Sequence, residues 1–244
     1  MRDMNKYLSD FDALPFEKIQ AKYRKKKFFE NVSTLKNINS VLEVGCGTSS
    51  IFETKKFKSN YLVEPIKVFC DRLSNRINVS DIVIKNCFLE ESRLEKTFDL
   101  VVLSCVLHEV PDADRFLREA IKYLNPNGYI YIDVPNAKSL HRQLAVATGY
   151  LKSIYVTSTT QQAMQQSANI FTRETLKYFL EQYGLNVIDS NGFFIKPFHH
   201  ERMQFLVDQG VISDDDLEGF FILGNLMGEF GSEIYAIANK SKTL

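Results

Sequence analysis

Five short apolar runs that alternate with helix-length segments constrain the fold of this 244-residue chain more than any other feature. The runs predict strands at 41–45, 60–64, 81–85, 99–104 and 128–134. Strands that alternate with single crossover helices are typical of βαβ units in a parallel sheet. A chain of this length buries one sizeable core, either as a single large α/β domain or as a domain with a small cap.

Two helix-length segments follow the fourth and fifth strands. In residues 112–124 the apolar side chains recur at helix spacing on one face, at Phe116, Leu117, Ile121 and Leu124. Residues 172–184 begin with Thr172, a residue type that caps helices, and end at Gly184, which favours the left-handed turn after a helix. We expect both segments to be helical.

Three remaining stretches set the predicted domain organisation. Residues 1–40 are expected to form a helical N-terminal segment, and 41–244 form the main domain. Within that domain, about 136–170 fit no clean period and are rich in Gln, Ser and Thr, which predicts a cap-like insertion. Open α/β sheets hold active-site residues at the edge where such an insertion leaves the fifth strand.

The C-terminal part of the chain predicts two late strands. Residues 186–195 contain Asn191-Gly192 between apolar runs, and 232–240 alternate as a strand does. We expect both strands to extend the sheet in antiparallel pairing.

Charge excludes one class of partner. Thirty basic residues balance thirty acidic ones, so no net field draws the chain to nucleic acid or to an anionic membrane. The local exception is the run Arg24-Lys25-Lys26-Lys27. A short charge run in a helix-like segment is typical of a solvated helix face, and a substrate-facing role is the alternative.

Three sequence features predict a cytoplasmic protein with reduced thiols and no membrane span. The four cysteines show no C-x-x-C spacing and stand at Cys46, Cys70, Cys87 and Cys105. The first ten residues lack the apolar centre of a signal peptide. No run approaches the ~18 consecutive apolar residues that a spanning helix needs. The oligomeric state stays open.

The stretch VLEVGCGTSS, residues 41–50, places a glycine-rich loop directly after the first strand. A dinucleotide fingerprint needs a third glycine, and Ser50 stands at that position. Glu43 lies inside the strand, where an acid is costly without a partner, so it suggests a cationic ligand. Glu64 ends the second strand about 20 residues after the loop, where a ribose-binding acid is expected.

These residues resemble the first motif of the class I S-adenosylmethionine-dependent methyltransferases, which is an acid-x-G-x-G pattern. The match lies at Glu43-Val44-Gly45-Cys46-Gly47, and residues 98–136 resemble the fourth strand, following helix and fifth strand of that family. The resemblance implies a Rossmann-like fold, with helices on both faces of a mostly parallel seven-stranded sheet whose last strand is antiparallel. It implies S-adenosylmethionine as the cofactor.

The resemblance also implies roles for individual residues. The loop backbone would approach the methionine moiety, Glu43 its ammonium group, and Glu64 the ribose hydroxyls. Cys87 stands where the family often has a residue that reads the adenine amino group, and Phe88 with backbone groups is the alternative. Ser49 replaces the family's third loop glycine. The full predicted cofactor site is Glu43, Gly45, Cys46, Gly47, Glu64, Pro65, Cys87, Phe88 and Ser104.

Two other classes of protein compete with this interpretation. An NAD-dependent oxidoreductase would share the glycine loop but leaves Glu43 unexplained. A non-catalytic cofactor-binding or assembly subunit would share the whole pattern. Nucleic-acid methylation is disfavoured, because the fourth strand is followed by SCVLHEV rather than an Asn/Asp/Ser-Pro-Pro-aromatic motif, and no Pro is followed by Cys.

Four histidines offer candidate catalytic groups. His108 follows the fourth strand, and its ordinary pKa of about 6.5 suits a general base that takes a hydroxyl proton. The alternative is a structural histidine that caps the following turn. His199-His200 follow a turn without other ligands at metal spacing, so we expect packing or surface roles and no metal site.

The acceptor is inferred from residues 133–152. Asn136 leaves the fifth strand, and His141 and Arg142 follow on a predicted short helix suited to an anionic or sugar acceptor. Anchoring of the cap by His141 and Arg142 is the alternative. The run resembles a methyltransferase subgroup associated with bacterial capsule and O-antigen synthesis, which implies O-methylation of a nucleotide-linked sugar or a phosphorylated or phosphoramidate intermediate. Nitrogen as the acceptor atom, and another small metabolite, stay open.

Overall fold

The computed structural model describes residues 4–157 and 169–240 and centres on one seven-stranded sheet. Its order is β3-β2-β1-β4-β5-β7-β6. Only β7 runs opposite to its neighbours, so the predicted Rossmann-like methyltransferase fold is confirmed. The strands are β1 (Ser40–Val44), β2 (Ser59–Val63), β3 (Ile82–Lys85), β4 (Phe98–Ser104), β5 (Leu124–Pro135), β6 (Leu185–Phe193) and β7 (Glu233–Lys240).

Eight α-helices in these described ranges cover both faces of the sheet. One face packs against the apolar sides of α4 and α6, and the other against α2, α3, α7 and α8. The helices are α1 (Met4–Asp12), α2 (Glu17–Val32), α3 (Lys67–Arg76), α4 (Ala113–Lys122), α5 (Leu140–Ala147), α6 (Arg173–Glu181), α7 (His200–Asp208) and α8 (Asp214–Leu226). None of them is long and apolar enough to cross a membrane.

The N-terminal segment is helical as expected, and it packs on the sheet. Tyr23 and Phe28 of α2 are both buried, and the Phe28 ring meets the Tyr131 ring of β5 edge-on at 5.0 Å between centroids. This packing places α1 and α2 across the carboxyl ends of the strands.

The helix predicted at 172–184 is confirmed with a different cap. The Thr172 hydroxyl accepts a hydrogen bond from the Thr175 amide at 3.2 Å, and the Thr175 hydroxyl accepts one from the Thr172 amide at 2.8 Å. A threonine thus takes the place of the usual Glu in the capping box. Gly184 adopts φ 71°, as a glycine after a helix does.

The C-terminal region differs from the sequence expectation in two respects. Asn191-Gly192, a pair typical of hairpin turns, lies inside β6 instead. A Cβ at Gly192 would meet the Gly228 carbonyl at 1.9 Å, so only glycine allows this close approach of the two backbones. Helices α7 and α8 lie between β6 and β7, and the sequence analysis did not predict them.

The predicted insertion at 136–170 contains α5, and its residues 158–168 lie outside the described ranges.

Two glycines of α8 provide a matched test of the packing between α8 and the end of β6. A Cβ on Gly224 would lie 2.1 Å from the Phe194 amide nitrogen, whereas one on Gly219 would meet nothing within 4 Å. The helix therefore contacts the β6 end at Gly224 without a side chain between the two backbones.

We predict opposite effects for alanine at these two positions. Gly224→Ala should lower the free energy of unfolding by about 1–3 kcal/mol, since backbone must move to admit the methyl group. Gly219→Ala should raise it by about 0.5–1 kcal/mol, because alanine favours helix and the site is open. Urea unfolding measures both, and equal stability of the two variants would contradict the contact.

Candidate active site

A cavity of about 1080 Å³ opens at the carboxyl ends of the central strands. Its walls come from the loops after β1, β2 and β4 and from helices α1, α2, α5 and α7. The volume is at the upper end of the range for small-molecule sites, so it accommodates a nucleoside cofactor and a second small molecule together.

The glycine loop borders one half of this cavity. Gly45 and Gly47 have φ values of 75° and 50°, a left-handed backbone that glycine adopts without steric cost. The turn directs the amides of Cys46 and Gly47 toward the end of β2.

Glu64 receives these amides. Its buried carboxylate accepts hydrogen bonds from Cys46 N at 2.9 Å, Gly47 N at 3.3 Å and Ile66 N at 2.8 Å. Burial raises the pKa of Glu64, although these hydrogen bonds oppose the shift. A carboxylate offers about four acceptor positions, so about one is left for a ribose hydroxyl.

Glu43 is the second buried acid of this half. It accepts hydrogen bonds from Ser50 Oγ at 2.5 Å and from Ile51 N at 3.0 Å. Burial raises the pKa of Glu43 to about 7, so its charge is costly without a cation. Ser50, which breaks the dinucleotide fingerprint, is therefore the residue that orients Glu43.

The structure does not place Cys87, the predicted adenine contact, on the cavity wall. The Cys87 side chain packs against the apolar cluster beneath the sheet and does not line the cavity. The next three residues do line it: Phe88, Leu89 and Glu90. Phe88 is 48% exposed, which leaves its ring available to a base, and the sequence analysis missed Glu90.

The basic run on α2 is not a solvated face, and that prediction is wrong. The Lys25 amine donates to Ser49 Oγ at 2.5 Å. Lys26 pairs with Glu218, and Lys27 donates to Asn225 at 2.7 Å. Every cation of the run, including Arg24 described next, is bound to an acidic or polar side chain outside α2. These partners are within reach because α2 crosses the sheet.

Arg24 forms the polar floor of the cavity. Its guanidinium donates to both carboxylate oxygens of Glu233, at 3.0 and 2.5 Å, and to Glu17 at 3.0 Å. Asp133 lies 3.7 Å away and is fully buried, and burial raises its pKa to about 7. Cys105, with Sγ 3.7 Å from Glu233, completes a cluster of three possible metal ligands, and both carboxylates of that cluster already pair with Arg24.

Ser104 lines the cavity, as the predicted cofactor site requires, and its hydroxyl proton is used within the protein. Its hydroxyl donates to Asp133 at 2.9 Å, and the Cys105 amide donates to the same carboxylate at 2.9 Å. Both bonds fix the end of β4, and Cys105 has the unusual φ of 51° there. Ser104 therefore shapes this wall of the site.

His108 lies in the loop after β4, on the cavity wall. It is 7% exposed, and its Nε2 is 3.6 Å from Glu109 Oε1. The Tyr7 hydroxyl of α1 donates to the other Glu109 oxygen at 2.7 Å. The structure thus places the predicted base at the cavity and links it through Glu109 to the covering helix.

The structure supports the anchoring alternative for Arg142, and it gives Asn136 a similar role. The Asn136 amide group donates to the carbonyls of Glu229 at 2.8 Å and Gly231 at 2.9 Å. Arg142 donates to the carbonyls of Ile154 at 2.8 Å and Val156 at 2.5 Å. Both side chains hold backbone segments, a role that spacing alone does not reveal.

The two adjacent histidines differ in environment. The His200 ring is partly buried, donates from Nδ1 to the Pro15 carbonyl at 3.0 Å and packs edge-on against Phe16. Burial lowers the pKa of His200 to about 3, so the ring is neutral. His199 precedes α7 and lines the cavity together with His141.

Comparison with known proteins agrees with this geometry. A family model described as Methyltransferase domain matches residues 17–190. The mitochondrial ubiquinone biosynthesis O-methyltransferase of Homo sapiens is 28% identical over 167 residues, which are 65% of this chain and 44% of the human protein. The Bos taurus protein of the same name is 27% identical over 172 residues with the same coverage. The chain thus spans less than half the length of these curated relatives.

Solved structures share the fold. The plantazolicin methyltransferase BpumL in complex with SAH is 16% identical with a TM-score of 0.58, over 98% of this chain and 91% of that one. The N-methyltransferase NodS from Bradyrhizobium japonicum is 16% identical with a TM-score of 0.55, over 95% and 99%.

The family match covers more than half of the chain, and the chain belongs to this methyltransferase-domain family. It contains a class I S-adenosylmethionine-dependent methyltransferase domain. The family match overturns the oxidoreductase alternative.

The donor set fits S-adenosylmethionine. Glu43 has two acceptor positions free for an ammonium group and Glu64 about one for a ribose hydroxyl, while Phe88 offers an exposed ring for adenine. These groups would hold the cofactor along the loop half of the cavity. The other half, which contains the polar floor and α7, is left for the acceptor.

Glu64→Ala should weaken binding of S-adenosylmethionine by about 1–3 kcal/mol, because charge-assisted hydrogen bonds to the loop and to the ribose are both lost. Glu181→Ala on α6, whose side chain is 45% exposed and outside the cavity, is the matched control and should bind as the wild type does. Titration calorimetry measures the affinities, and equal values for all three proteins would remove Glu64 from the site.

Proposed function

We propose that this enzyme transfers the methyl group to an oxygen of a small acceptor, with His108 as the general base. The observation that carries the proposal is the chain of contacts from Tyr7 through Glu109 to His108, located on the cavity wall after β4. The curated relatives are named O-methyltransferases, which supports oxygen as the acceptor atom.

The chemistry divides between cofactor and protein. Bound S-adenosylmethionine supplies an electrophilic methyl group for in-line displacement. The residues of the chain orient the acceptor and exclude water, and those effects supply most of the acceleration. Tyr7 and Phe11 of α1 cover the cavity, and His108 takes the proton that a hydroxyl acceptor releases.

His108→Ala should lower kcat by about 10² with a hydroxyl acceptor, the usual contribution of a general base. Tyr7→Phe, which removes the hydroxyl bound to Glu109 and leaves His108 in place, should cause a smaller loss. Affinity for S-adenosylhomocysteine should be unchanged in both variants. Steady-state kinetics with calorimetry tests this, and an unchanged kcat for His108→Ala would exclude the base role.

The acceptor that we propose is a cytoplasmic precursor of a surface polysaccharide, either a nucleotide-linked sugar or a phosphorylated or phosphoramidate intermediate. The resemblance of residues 133–152 to the capsule and O-antigen subgroup supports it. The balanced charge and the absence of base-methyltransferase motifs in the sequence favour a small molecule over nucleic acid. Another small metabolite is the competing acceptor class, since the named relatives act in ubiquinone biosynthesis.

Disruption of the gene should remove one 14-dalton increment from the purified surface polysaccharide, measured by mass spectrometry. Complementation with the wild-type gene should restore the increment, and complementation with the Glu64→Ala variant should restore it incompletely because cofactor binding is weakened. An unaltered glycan under conditions where the protein is expressed would exclude the polysaccharide precursor.

A further inference from the structure

The acceptor half of the cavity contains a buried amine to which no described protein group is bonded. Lys196 follows β6, lines the cavity and is 2% exposed. Within residues 4–157 and 169–240 its side chain makes no hydrogen bond and no ion pair. A buried ammonium group without a bonded partner is costly, so an anionic ligand group at this position would compensate it.

The nearby acids are already used by Arg24. Glu233 and Glu17 both bind its guanidinium, as described for the polar floor. Burial lowers the pKa of Lys196 to about 8, and the charges of Glu233 and Glu17 oppose that shift from a distance. Lys196 therefore keeps most of its positive charge at neutral pH.

His141 on α5 is a second polar group of the same chamber with an unused atom. Its Nδ1 is buried and has no hydrogen-bond partner among the described residues, and the side chain lines the cavity. Burial lowers the pKa of His141 well below its ordinary value, and the Lys196 charge adds to the shift, which places the two groups within electrostatic range. A neutral imidazole offers one N–H donor to a ligand.

The N-terminus of α7 faces the same space. The first-turn residues His200, Glu201 and Arg202 line the cavity, and the N-cap residue His199 makes no side-chain capping bond. The first amides of a helix lack partners within it, and they carry the positive end of the helix dipole. Glu201 is the acid in this turn, and it is exposed.

We propose that Lys196, His141 and the first turn of α7 form a subsite that binds an anionic group of the acceptor, a phosphate or a carboxylate. The inference rests on the proposed function, because it places the acceptor in the half of the cavity beyond His108. It assigns acceptor recognition to Lys196 in place of Asn136 and Arg142, whose donors hold backbone carbonyls. Acceptors that carry no such anion would leave the Lys196 ammonium group without a bonded partner and bind more weakly.

Calorimetric titration tests the subsite with inorganic phosphate and, separately, with acetate. Each anion is added at constant ionic strength to the chain saturated with S-adenosylhomocysteine. We expect saturable binding of at least one anion by the wild type, weakened about tenfold or more in Lys196→Met and partly retained in Lys196→Arg. Lys122→Gln, at an exposed lysine of α4 outside the cavity, is the matched control and should bind as the wild type does.

Lys196→Met should fold at least as well as the wild type, because it removes a buried charge without removing a bonded partner. Its affinity for S-adenosylhomocysteine checks that the cavity is intact. Equal anion affinity in Lys196→Met and the wild type, or no saturable binding of either anion by the wild type, would overturn the subsite.

The titration, combined with a methylation assay whose product is analysed by mass spectrometry and NMR, separates the two proposals. Absence of anion binding in a chain that still methylates a hydroxyl overturns the subsite alone. Anion binding by a chain whose product carries the methyl group on nitrogen overturns the proposed oxygen transfer alone. The two arms also distinguish the ligand, since preference for phosphate indicates a phosphorylated acceptor and preference for acetate a carboxylated one.

Discussion

The carboxylate of Glu64 is the constraint on which the cofactor half of the site depends. It joins the end of β2 to the amides of Cys46 and Gly47, and through Ile66 to the start of α3. Because these bonds are buried, they fix the left-handed loop after β1 in one conformation. That fixed loop determines the position of the cavity wall. It also determines where the free hydrogen-bond acceptor positions of Glu43 and Glu64 lie.

Arg24 is the side chain that joins separate elements around the acceptor half of the cavity. It connects α2 to β7 through Glu233 and so holds the N-terminal helices over the ends of the strands. The same guanidinium occupies the carboxylates of Glu233 and Glu17, which would otherwise be available to bond Lys196. Arg24 thus holds the N-terminal helices over the site and leaves a second cation, Lys196, available to a ligand.

Sequence reasoning predicted the features that spacing along the chain determines. Periodicity predicted the strands in their order along the chain and the glycine loop after the first of them. The cost of a charge inside a strand drew attention to Glu43, and spacing from the loop drew attention to Glu64. Side-chain direction does not follow from spacing. Cys87 faces the core rather than the cavity, and Asn136 and Arg142 hold backbone carbonyls that come from distant or irregular segments.

Long-range pairing explains the other differences. The basic run on α2 looked solvated because its partners, such as Glu233 and Glu218, lie some 200 residues later in the chain. The sequence analysis did not predict a role for Lys196, because it is one of thirty basic residues. Only its burial in the cavity distinguishes it from the others. Helix α8 was missed because Gly219 and Gly224 interrupt its pattern, although Gly224 is required for contact with the end of β6.

A crystal structure of the chain grown with S-adenosylhomocysteine tests the central claim most directly. The account predicts the ribose within hydrogen-bond distance of Glu64, the amino group beside Glu43, and the sulfur directed toward the half of the cavity that holds His108 and Lys196. A nucleoside bound without contact to Glu64, or with its sulfur turned away from that half, would contradict the account.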